Sequence, residues 1–194
     1  MKNIVFLLLV VSSYLFSCEQ KNERYEGPSA LLSDLPSHAE IVDFAEVPGL
    51  VQATIMFGEK IEEQGYFFNE KRNGTWVIYH PNEFIKSITT YVNGIQQGAY
   101  IEMDKAGKIT KKANYLNGIE DGETHYYDNG KIAERKNYSL GQLEGKKSKY
   151  YNNGKIMEES MWQDGKMHGE AKWFDQEGNV TIEYRYENGE LIKE

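Results

Sequence analysis

The side chains that could carry out chemistry are few and scattered. Four histidines stand at His38, His80, His125 and His168, and none of them forms a metal-ligand spacing with other histidine or acidic residues on one element. The sequence contains no Gly-x-Ser-x-Gly, P-loop or dinucleotide-binding motif. Its acidic residues form no recognisable catalytic pair, and solvated Glu residues are common on protein surfaces. We therefore expect no catalytic residue, no metal site and no cofactor, in a protein that is not an enzyme.

Cys18 is placed for covalent chemistry. It is the single cysteine, and it follows Lys2, an apolar run over residues 4–11 and the sequence Leu15-Phe16-Ser17. The run is far shorter than the ~20 residues that span a bilayer, which is typical of a removed targeting segment. Leu-x-small-Cys resembles the lipobox of bacterial lipoproteins, in which the cysteine is lipidated and becomes the new N-terminus. We expect lipidation at Cys18; the alternatives are a plain secretory signal and a retained membrane anchor.

The lipobox resemblance implies a protein held to a bacterial membrane by its lipid. The residues from Glu19 to Glu23 resemble the surface-export tethers of some lipoproteins, so we expect the outer membrane or the cell surface rather than the inner membrane. The formal net charge is -8 and the pI is near 5.2. Nucleic-acid binding depends on an excess of Lys and Arg, so this charge argues against nucleic acid as a partner.

A repeat of about 24 residues runs through most of the chain. Its opening glycines are separated by steps of 24, 24, 23 and 24 residues, and two further glycine series and three apolar series keep the same period. The opening glycines are Gly74, Gly98, Gly122, Gly145 and Gly169. The recurring apolar position after them is held by Tyr79, Met103, Tyr127, Tyr150 and Phe174. Aromatic, Gly-rich units of this length predict paired strands rather than helices.

Each unit is expected to be a β-hairpin with its turn in mid-repeat. The Asn-Gly pairs near Gly130 and Gly154 favour such turns, and the pattern predicts that Tyr127 lies opposite Ile132 and Tyr150 opposite Ile156. One hairpin is marginal alone, so neighbours must stack. The prediction is an all-β protein: an elongated single sheet, a meander or solenoid of stacked hairpins.

Five segments follow from these patterns. Residues 1–17 are the signal peptide, 18–30 the lipidated cysteine and a flexible tether, and 31–49 a cap that could be a short helix or a strand. Residues 50–69 form a degenerate capping hairpin, and 70–194 hold the five regular repeats. Terminal repeats of solenoids are often irregular in this way.

Aromatic and lysine side chains form the candidate binding surface. Strand alternation puts Tyr126 and Tyr127 on opposite faces, so one of the two should face outward, where it could stack on sugars or instead pack within the sheet. Lysines that follow the mid-repeat glycines should form a row along one edge, either to steer a charged partner or to keep the turns soluble. The candidates are Trp76, Tyr100, Tyr126, Trp173, Lys108, Lys131 and Lys155.

The repeated pattern, for example Gly122-Glu-Thr-His-Tyr-Tyr-Asp-Asn-Gly-Lys-Ile, resembles MORN repeats (membrane occupation and recognition nexus), and most closely the bacterial YwqK-like variant. The resemblance implies a hairpin array that serves as a scaffold or binding surface, without catalytic residues. Three functions follow as hypotheses. The first is a cell-envelope lipoprotein with a protein-interaction surface. The alternatives are a carbohydrate or cell-wall binding module and an antitoxin that neutralises a partner toxin.

Overall fold

The computed structural model describes residues 31–192, so Cys18 and the predicted signal peptide lie outside the described residues. A short 3-10 turn, Leu32–Asp34, precedes sixteen strands. The strands are β1 Glu40–Asp43, β2 Leu50–Phe57, β3 Lys60–Phe68, β4 Lys71–Tyr79, β5 Ile85–Val92, β6 Ile95–Met103, β7 Ile109–Leu116, β8 Ile119–Glu120, β9 Gly122–Asp128, β10 Lys131–Ser139, β11 Gln142–Leu143, β12 Gly145–Tyr150, β13 Ile156–Gln163, β14 Lys166–Phe174, β15 Val180–Glu187 and β16 Glu190–Leu191.

All sixteen strands belong to one antiparallel sheet in which neighbours in sequence pair with each other. The short strands β8 and β11 pair only with the strands before them, so β9 and β12 continue the sheet. The predicted fold class, a single-sheet meander of stacked hairpins, is confirmed. The segment before β2 holds both a 3-10 turn and a strand. No helix within residues 31–192 has the length and apolar character of a membrane span.

The mid-repeat turns fix the register of each hairpin. Tyr127 pairs with Ile132 and Tyr150 with Ile156, which confirms the two predicted contacts. The turn between β9 and β10 puts both Asn129 and Gly130 at positive φ, whereas only Gly154 is at positive φ in the turn between β12 and β13. The first turn is therefore one residue shorter, which accounts for the single 23-residue step among the opening glycines.

The closing turns connect one hairpin to the next and share a second geometry. Each places two successive residues at positive φ, as in a type I′ turn, and its glycine N–H donates to a carbonyl about one repeat earlier. These hydrogen bonds join Gly94 to Arg72, Gly118 to Gln96, Gly141 to Glu120, Gly165 to Leu143 and Gly189 to Met167, with N···O distances of 2.8–3.0 Å. The closing turns thus fasten successive hairpins together as well as reversing the chain.

Leu140 occupies a turn position where the other repeats have Asn or Asp. Its φ is 48° and its side chain is 67% exposed, so a bulky residue is held in a left-handed conformation without any gain from burial. We expect Leu140→Asn to raise the free energy of unfolding by about 0.5–1 kcal/mol. Thermal unfolding followed by circular dichroism measures the change, and an unaltered or lower midpoint would contradict it.

The two faces of the sheet differ. The front face, defined here by Trp76, Tyr100, Tyr126 and Trp173 and the residues in register with them, holds nearly all of the deeply buried side chains. The back face carries the recurring apolar row that begins at Tyr79, and that row is only half-buried. The sequence pattern marks this back row as the core, but the structure puts the deepest burial on the front.

Two features explain the burial on the front face. Along the array, small residues lie beneath larger aromatic and lysine neighbours of the same face; they include Ala113, Thr124, Ser160 and Ala171. At the N-terminal end, Leu32 and Leu35 pack on a cluster formed by Val51, Ala53, Phe67 and Trp76. A main-chain hydrogen bond from Leu32 N to Glu70 O, 2.9 Å, holds this segment in place.

Candidate functional site

The four candidate aromatics lie on one face of the sheet, in two adjacent rows. Trp76 and Tyr100 share a row through Thr89, with which both are in register, and Tyr126 and Trp173 lie in the next row. The closing aromatics of the repeats, such as Tyr115, are on the same face, because Tyr115 lies two residues from Ala113, the partner of Tyr100. Cross-strand register thus gathers aromatic side chains along the front face.

Trp76 differs from the other three because it is 1% exposed. Its ring packs edge-on against Phe67, with centroids 5.4 Å apart, beneath the segment that contains Leu32 and Leu35. We therefore correct the sequence-based placement of Trp76 on an outward surface. The physical reason is tertiary: residues far away in sequence cover this end of the front face.

A buried ion pair lies beside Trp76. The Glu63 carboxylate accepts hydrogen bonds from Trp76 Nε1 at 2.9 Å and Arg72 Nη2 at 3.3 Å. The Arg72 guanidinium lies 3.7 Å from the centroid of the Trp76 ring, and its Nε and Nη1 have no hydrogen-bond partner. Burial raises the pKa of Glu63, and the Trp76 hydrogen bond and the Arg72 charge only partly oppose that shift.

The raised pKa of Glu63 predicts how stability depends on pH. A carboxyl with a higher pKa in the folded state binds its proton more tightly when folded, so its contribution is largest at low pH. That contribution is lost as the pH rises from the unfolded value of 4.5 through the folded pKa. We expect the stability difference between wild type and Glu63→Gln to fall over this window in urea unfolding series. A difference that rises with pH would contradict the predicted sign.

Lysines alternate with aromatic rings along the middle of the front face. Lys136 Nζ lies 4.6 Å from the centroid of the Tyr126 ring, and Lys111 Nζ lies 5.5 Å from it. Lys111 also forms an ion pair with Glu120 at 3.0 Å, and Lys136 with Glu134 at 3.0 Å. Tyr126 is thus flanked by two cations whose charges are balanced by neighbouring carboxylates.

The same arrangement continues into the next repeat. Lys147 Nζ lies 5.6 Å from the Trp162 ring centroid and 3.4 Å from a Glu134 oxygen, and Lys149 pairs with Glu158 at 3.1 Å. Because these lysines are neutralised within the protein, the middle of the front face is aromatic and polar but has little uncompensated charge. Burial raises the pKa of Tyr138 to about 12, so this phenol is protonated at neutral pH and can donate a hydrogen bond.

The C-terminal part of the front face is the most open to solvent. Trp173 packs edge-on against Tyr184 with centroids 6.0 Å apart, and Tyr184 is 46% exposed. Ile182, in register with Trp173, is also 46% exposed. Trp173 and Tyr184 therefore form an accessible aromatic pair, in contrast to the buried Trp76.

The candidate lysines Lys108, Lys131 and Lys155 lie at the mid-repeat turns, and each reaches the turn of the following repeat. Lys131 Nζ donates to Asn152 O at 2.7 Å, and Lys155 Nζ to Glu177 O at 3.0 Å. Lys108 Nζ donates to Asn129 Oδ1 at 3.2 Å. These bonds give the lysines a role in joining repeats, and each ammonium group keeps two further N–H donors.

Removing one of these bonds should loosen the junction between two repeats. We expect Lys131→Met to lower the free energy of unfolding by about 0.5–1 kcal/mol, since one hydrogen bond from an exposed charge is lost and the aliphatic stem is kept. The control is Lys166→Met, which replaces an exposed lysine at the opposite edge and should leave the melting temperature near that of wild type. Thermal melts of the two variants make the comparison. Equal effects of the two substitutions would exclude a specific role for the Lys131 bond.

The histidines lie apart from one another. His80 Nε2 is 2.9 Å from Met103 O at a turn, and His125 Nε2 is 3.0 Å from a Glu123 oxygen. Across residues 31–192 no group of three or more His, Cys, Asp and Glu side chains could hold a metal ion. Cys18, the predicted lipidation site, falls outside this range.

Comparison with known families assigns three consecutive repeats. Residues 121–139, 143–164 and 167–188 match the sequence model of the MORN repeat variant family. The sheet shows that the chain is a β-hairpin repeat protein, and three of its repeats, from β9 to β15, are similar to the MORN repeat variant. These three segments cover the Lys136, Lys147 and Trp173 part of the front face.

Other comparisons are less informative. No curated protein matches the chain at a significant level. Among solved structures, it resembles a crystal structure of a mutant of S. aureus TarM in complex with fondaparinux, alpha-GlcNAc-glycerol and UDP, with 11% identity and a TM-score of 0.29. That match covers 81% of this chain but only 21% of the TarM chain. A similarity of this size indicates neither a shared fold nor a shared activity.

Sequence reasoning missed the three lysines that lie beside the aromatic rings of the front face. Lys111, Lys136 and Lys147 are separated by 25 and 11 residues in the chain, so no sequence motif joins them. They become neighbours because β7 pairs with β9 and β10 pairs with β12 across the short strands β8 and β11. Glu63 and Arg72, on the consecutive strands β3 and β4, were also missed, because the sequence does not show that this pair is buried.

Proposed function

We propose that this chain is a non-enzymatic cell-envelope lipoprotein whose hairpin array is a protein-interaction scaffold. The observation that carries the proposal is the open single sheet, with a front face that presents aromatic and ion-paired side chains over several repeats. Both faces are available over most of their length, and specific interfaces are enriched in aromatic residues. The match of three repeats to the MORN variant family supports an interaction module.

The interaction part is tested by crosslinking in intact cells. A photoreactive amino acid at Tyr138, on the front face, and another at Tyr127, on the back face, sample the two surfaces separately. We expect a defined protein adduct from at least one of the two positions. If neither position gave a protein adduct and the protein bound only glycans, the scaffold function would be refuted. A toxic protein as the partner would assign the antitoxin role that the YwqK-like resemblance implies.

The lipid anchor is a separate part of the proposal and rests on Cys18. Two or three acyl chains give stable membrane attachment at ~0.8 kcal/mol per buried CH₂. Metabolic labelling with a fatty acid should mark the wild-type protein and leave Cys18→Ala unlabelled, with the variant released from the membrane fraction. Unlabelled wild type would refute the anchor while leaving the interaction module unaffected.

A carbohydrate-binding module is the second candidate, and the pair formed by half-buried Trp173 and exposed Tyr184 favours it. Tyr126 is a weaker sugar platform, because Lys136 and Lys111 already flank its ring. On this hypothesis Trp173→Ala abolishes retention on cell-wall glycan, and Tyr126→Ala does not. Equal retention of wild type and Trp173→Ala would exclude the site.

A further inference from the structure

A notch on the back face is lined by two cations and two apolar side chains. Lys131, Ile132, Arg135 and Tyr150, with Asn152, Asn153 and Gly154 of the turn between β12 and β13, line a volume of about 400 Å³. The Arg135 guanidinium carbon lies 5.7 Å from the centroid of the Tyr150 ring. The notch therefore combines an apolar wall with positive charge at its rim.

The preceding repeat carries the same four residue types at equivalent positions: Lys108, Ile109, Lys112 and Tyr127. Lys112 Nζ lies 5.7 Å from the Tyr127 ring centroid, which reproduces the Arg135 and Tyr150 geometry one repeat away. The cavity at Arg135 and the equivalent site at Lys112, which is inferred from matching residues and ring geometry, are neighbours along the mid-repeat edge of the back face; we call them the paired basic notches.

The cations of the paired basic notches have carboxylates nearby, since Lys108 helps to lower the pKa of Asp104 and Lys131 is in register with Asp128, but they form no close ion pair. Within residues 31–192, none of the four cations Lys108, Lys112, Lys131 and Arg135 forms an ion pair with a carboxylate. The lysines of the front face, in contrast, are paired with Glu120, Glu134 and Glu158. A basic patch without close ion pairs, on a protein of net charge -8, is suited to an acidic partner.

We propose that the paired basic notches bind an acidic amphipathic helix of a protein partner, a proposal that rests on the interaction function above. Two strands advance the sheet by roughly 9.6 Å per repeat, and one heptad of an α-helix advances by roughly 10.5 Å. A helix laid across the strands can therefore place one apolar side chain in each notch. Glutamates beside those side chains then meet Lys112 and Arg135.

The notches favour a helix over other ligands. The strands that form them are hydrogen-bonded on both sides, so an extended peptide would find no sheet edge for its backbone groups, whereas a helix satisfies its own. A sugar ring would need a fully open aromatic face, whereas Lys112 and Arg135 lie 5.7 Å from the centroids of the Tyr127 and Tyr150 rings and take up part of each face. Helix-in-groove recognition by spaced apolar anchors is a common mode of protein binding.

The proposed site is confined to two repeats for two reasons. In the next repeat Glu159 replaces Arg135 and pairs with Lys146 at 2.8 Å. In the N-terminal repeat Lys60 is 3.4 Å from a Glu83 oxygen. Sheet twist of roughly 20–25° per strand also turns distant notches away from a straight helix.

The test uses the full chain and a labelled three-heptad peptide with Leu at positions a and d and Glu at e and g, measured by fluorescence anisotropy. We expect this peptide to bind and the double variant Lys112→Glu/Arg135→Glu to weaken it at least about tenfold. The variant should instead prefer a matched peptide with Lys in place of Glu. The control Lys146→Glu/Lys166→Glu changes the net charge equally and should bind the acidic peptide nearly as wild type does.

Thermal melts of each variant separate binding from folding, and Ile132→Ser tests the apolar wall in an unchanged charge background. The proposal would be overturned if the acidic peptide did not bind, or if both double variants lost affinity for it equally. It would also be overturned if an acidic polysaccharide bound tightly and was weakened by Lys112→Glu/Arg135→Glu, while the acidic peptide did not bind. A cellular adduct from Tyr138 but not Tyr127 would refute this site while leaving the scaffold function intact.

Discussion

Replacing Glu63 with alanine is expected to lower the free energy of unfolding of the N-terminal end by roughly 3–5 kcal/mol, because it leaves the charge of Arg72 buried without a partner. Arg72 is 1% exposed and already has two nitrogens without hydrogen bonds, so without Glu63 its charge would be left against the Trp76 and Tyr91 rings. Trp76 Nε1 also loses its acceptor. This is the largest effect expected from a single side-chain truncation of a polar residue in the described part of the chain.

Hydrogen exchange of the β3 and β4 amides measures that loss locally, since repeat arrays can unfold in parts. The double variant Glu63→Gln/Arg72→Met keeps an acceptor for Trp76 and removes both charges, so it should recover most of the protection. Unchanged exchange in Glu63→Ala would mean that the ion pair does not hold this end together. Glu134→Ala, at a half-buried ion pair of the front face, is the matched control and should cost much less.

Gly65→Ala should be nearly as damaging, by a different mechanism. A Cβ built on Gly65 would lie 1.9 Å from Cε3 of Trp76, so the ring would have to leave its position against Phe67. Overpacking a filled core costs roughly 1–3 kcal/mol and occasionally more, and loss of the Trp76 contacts adds to it. We expect a loss of at least about 3 kcal/mol, visible as a large drop in the urea midpoint.

Two companion variants identify the cause. Gly58→Ala introduces a methyl group with no atom within 4 Å, so it should cost only the strain of its left-handed backbone, about 1–2 kcal/mol. Gly65→Ala/Trp76→Leu should lose less than the sum of its single substitutions, because the clash with the ring is gone. Additive losses in this double-mutant cycle would disprove the clash.

The two ends of the array differ in how firmly their side chains are packed. The N-terminal end has a packed cluster, a buried ion pair and a covering segment, whereas the C-terminal end exposes Ile182 and Tyr184. The N-terminal end is also the one nearest in sequence to Cys18. If Cys18 is lipidated as proposed, the most firmly packed repeat is the one joined to the tether.

Much of the fold could be predicted from the sequence because its determinants are local. Turn conformations depend on residues such as Asn129 and Gly130 that adopt positive φ at low cost, and the glycine period marks them one after another. Within one hairpin, the distance from the turn fixes the partner, as for Tyr127 and Ile132. The single shorter turn was already visible as a 23-residue step.

The candidate site was harder to predict because its residues meet between hairpins. A register shift lies next to each mid-repeat turn, for example between Lys149 and Tyr150, so alternation along a strand does not carry across it. Sequence could place Tyr126 and Tyr127 on opposite faces. It could not tell that the Tyr126 side is the more buried one, or that Lys136 would lie over that ring.

The sequence by itself thus determined the strands, the turns and the period, since these arise from contacts within one repeat. Tertiary structure alone decided which face is covered, because Leu32 and Leu35 pack on the β2, β3 and β4 cluster that contains Trp76. It also decided which cations are neutralised between repeats: Lys147 of β12 meets Glu134 of β10, while Lys112 and Arg135 meet aromatic rings instead. Charge balance depends on distances between repeats, and those distances are set by how the hairpins stack.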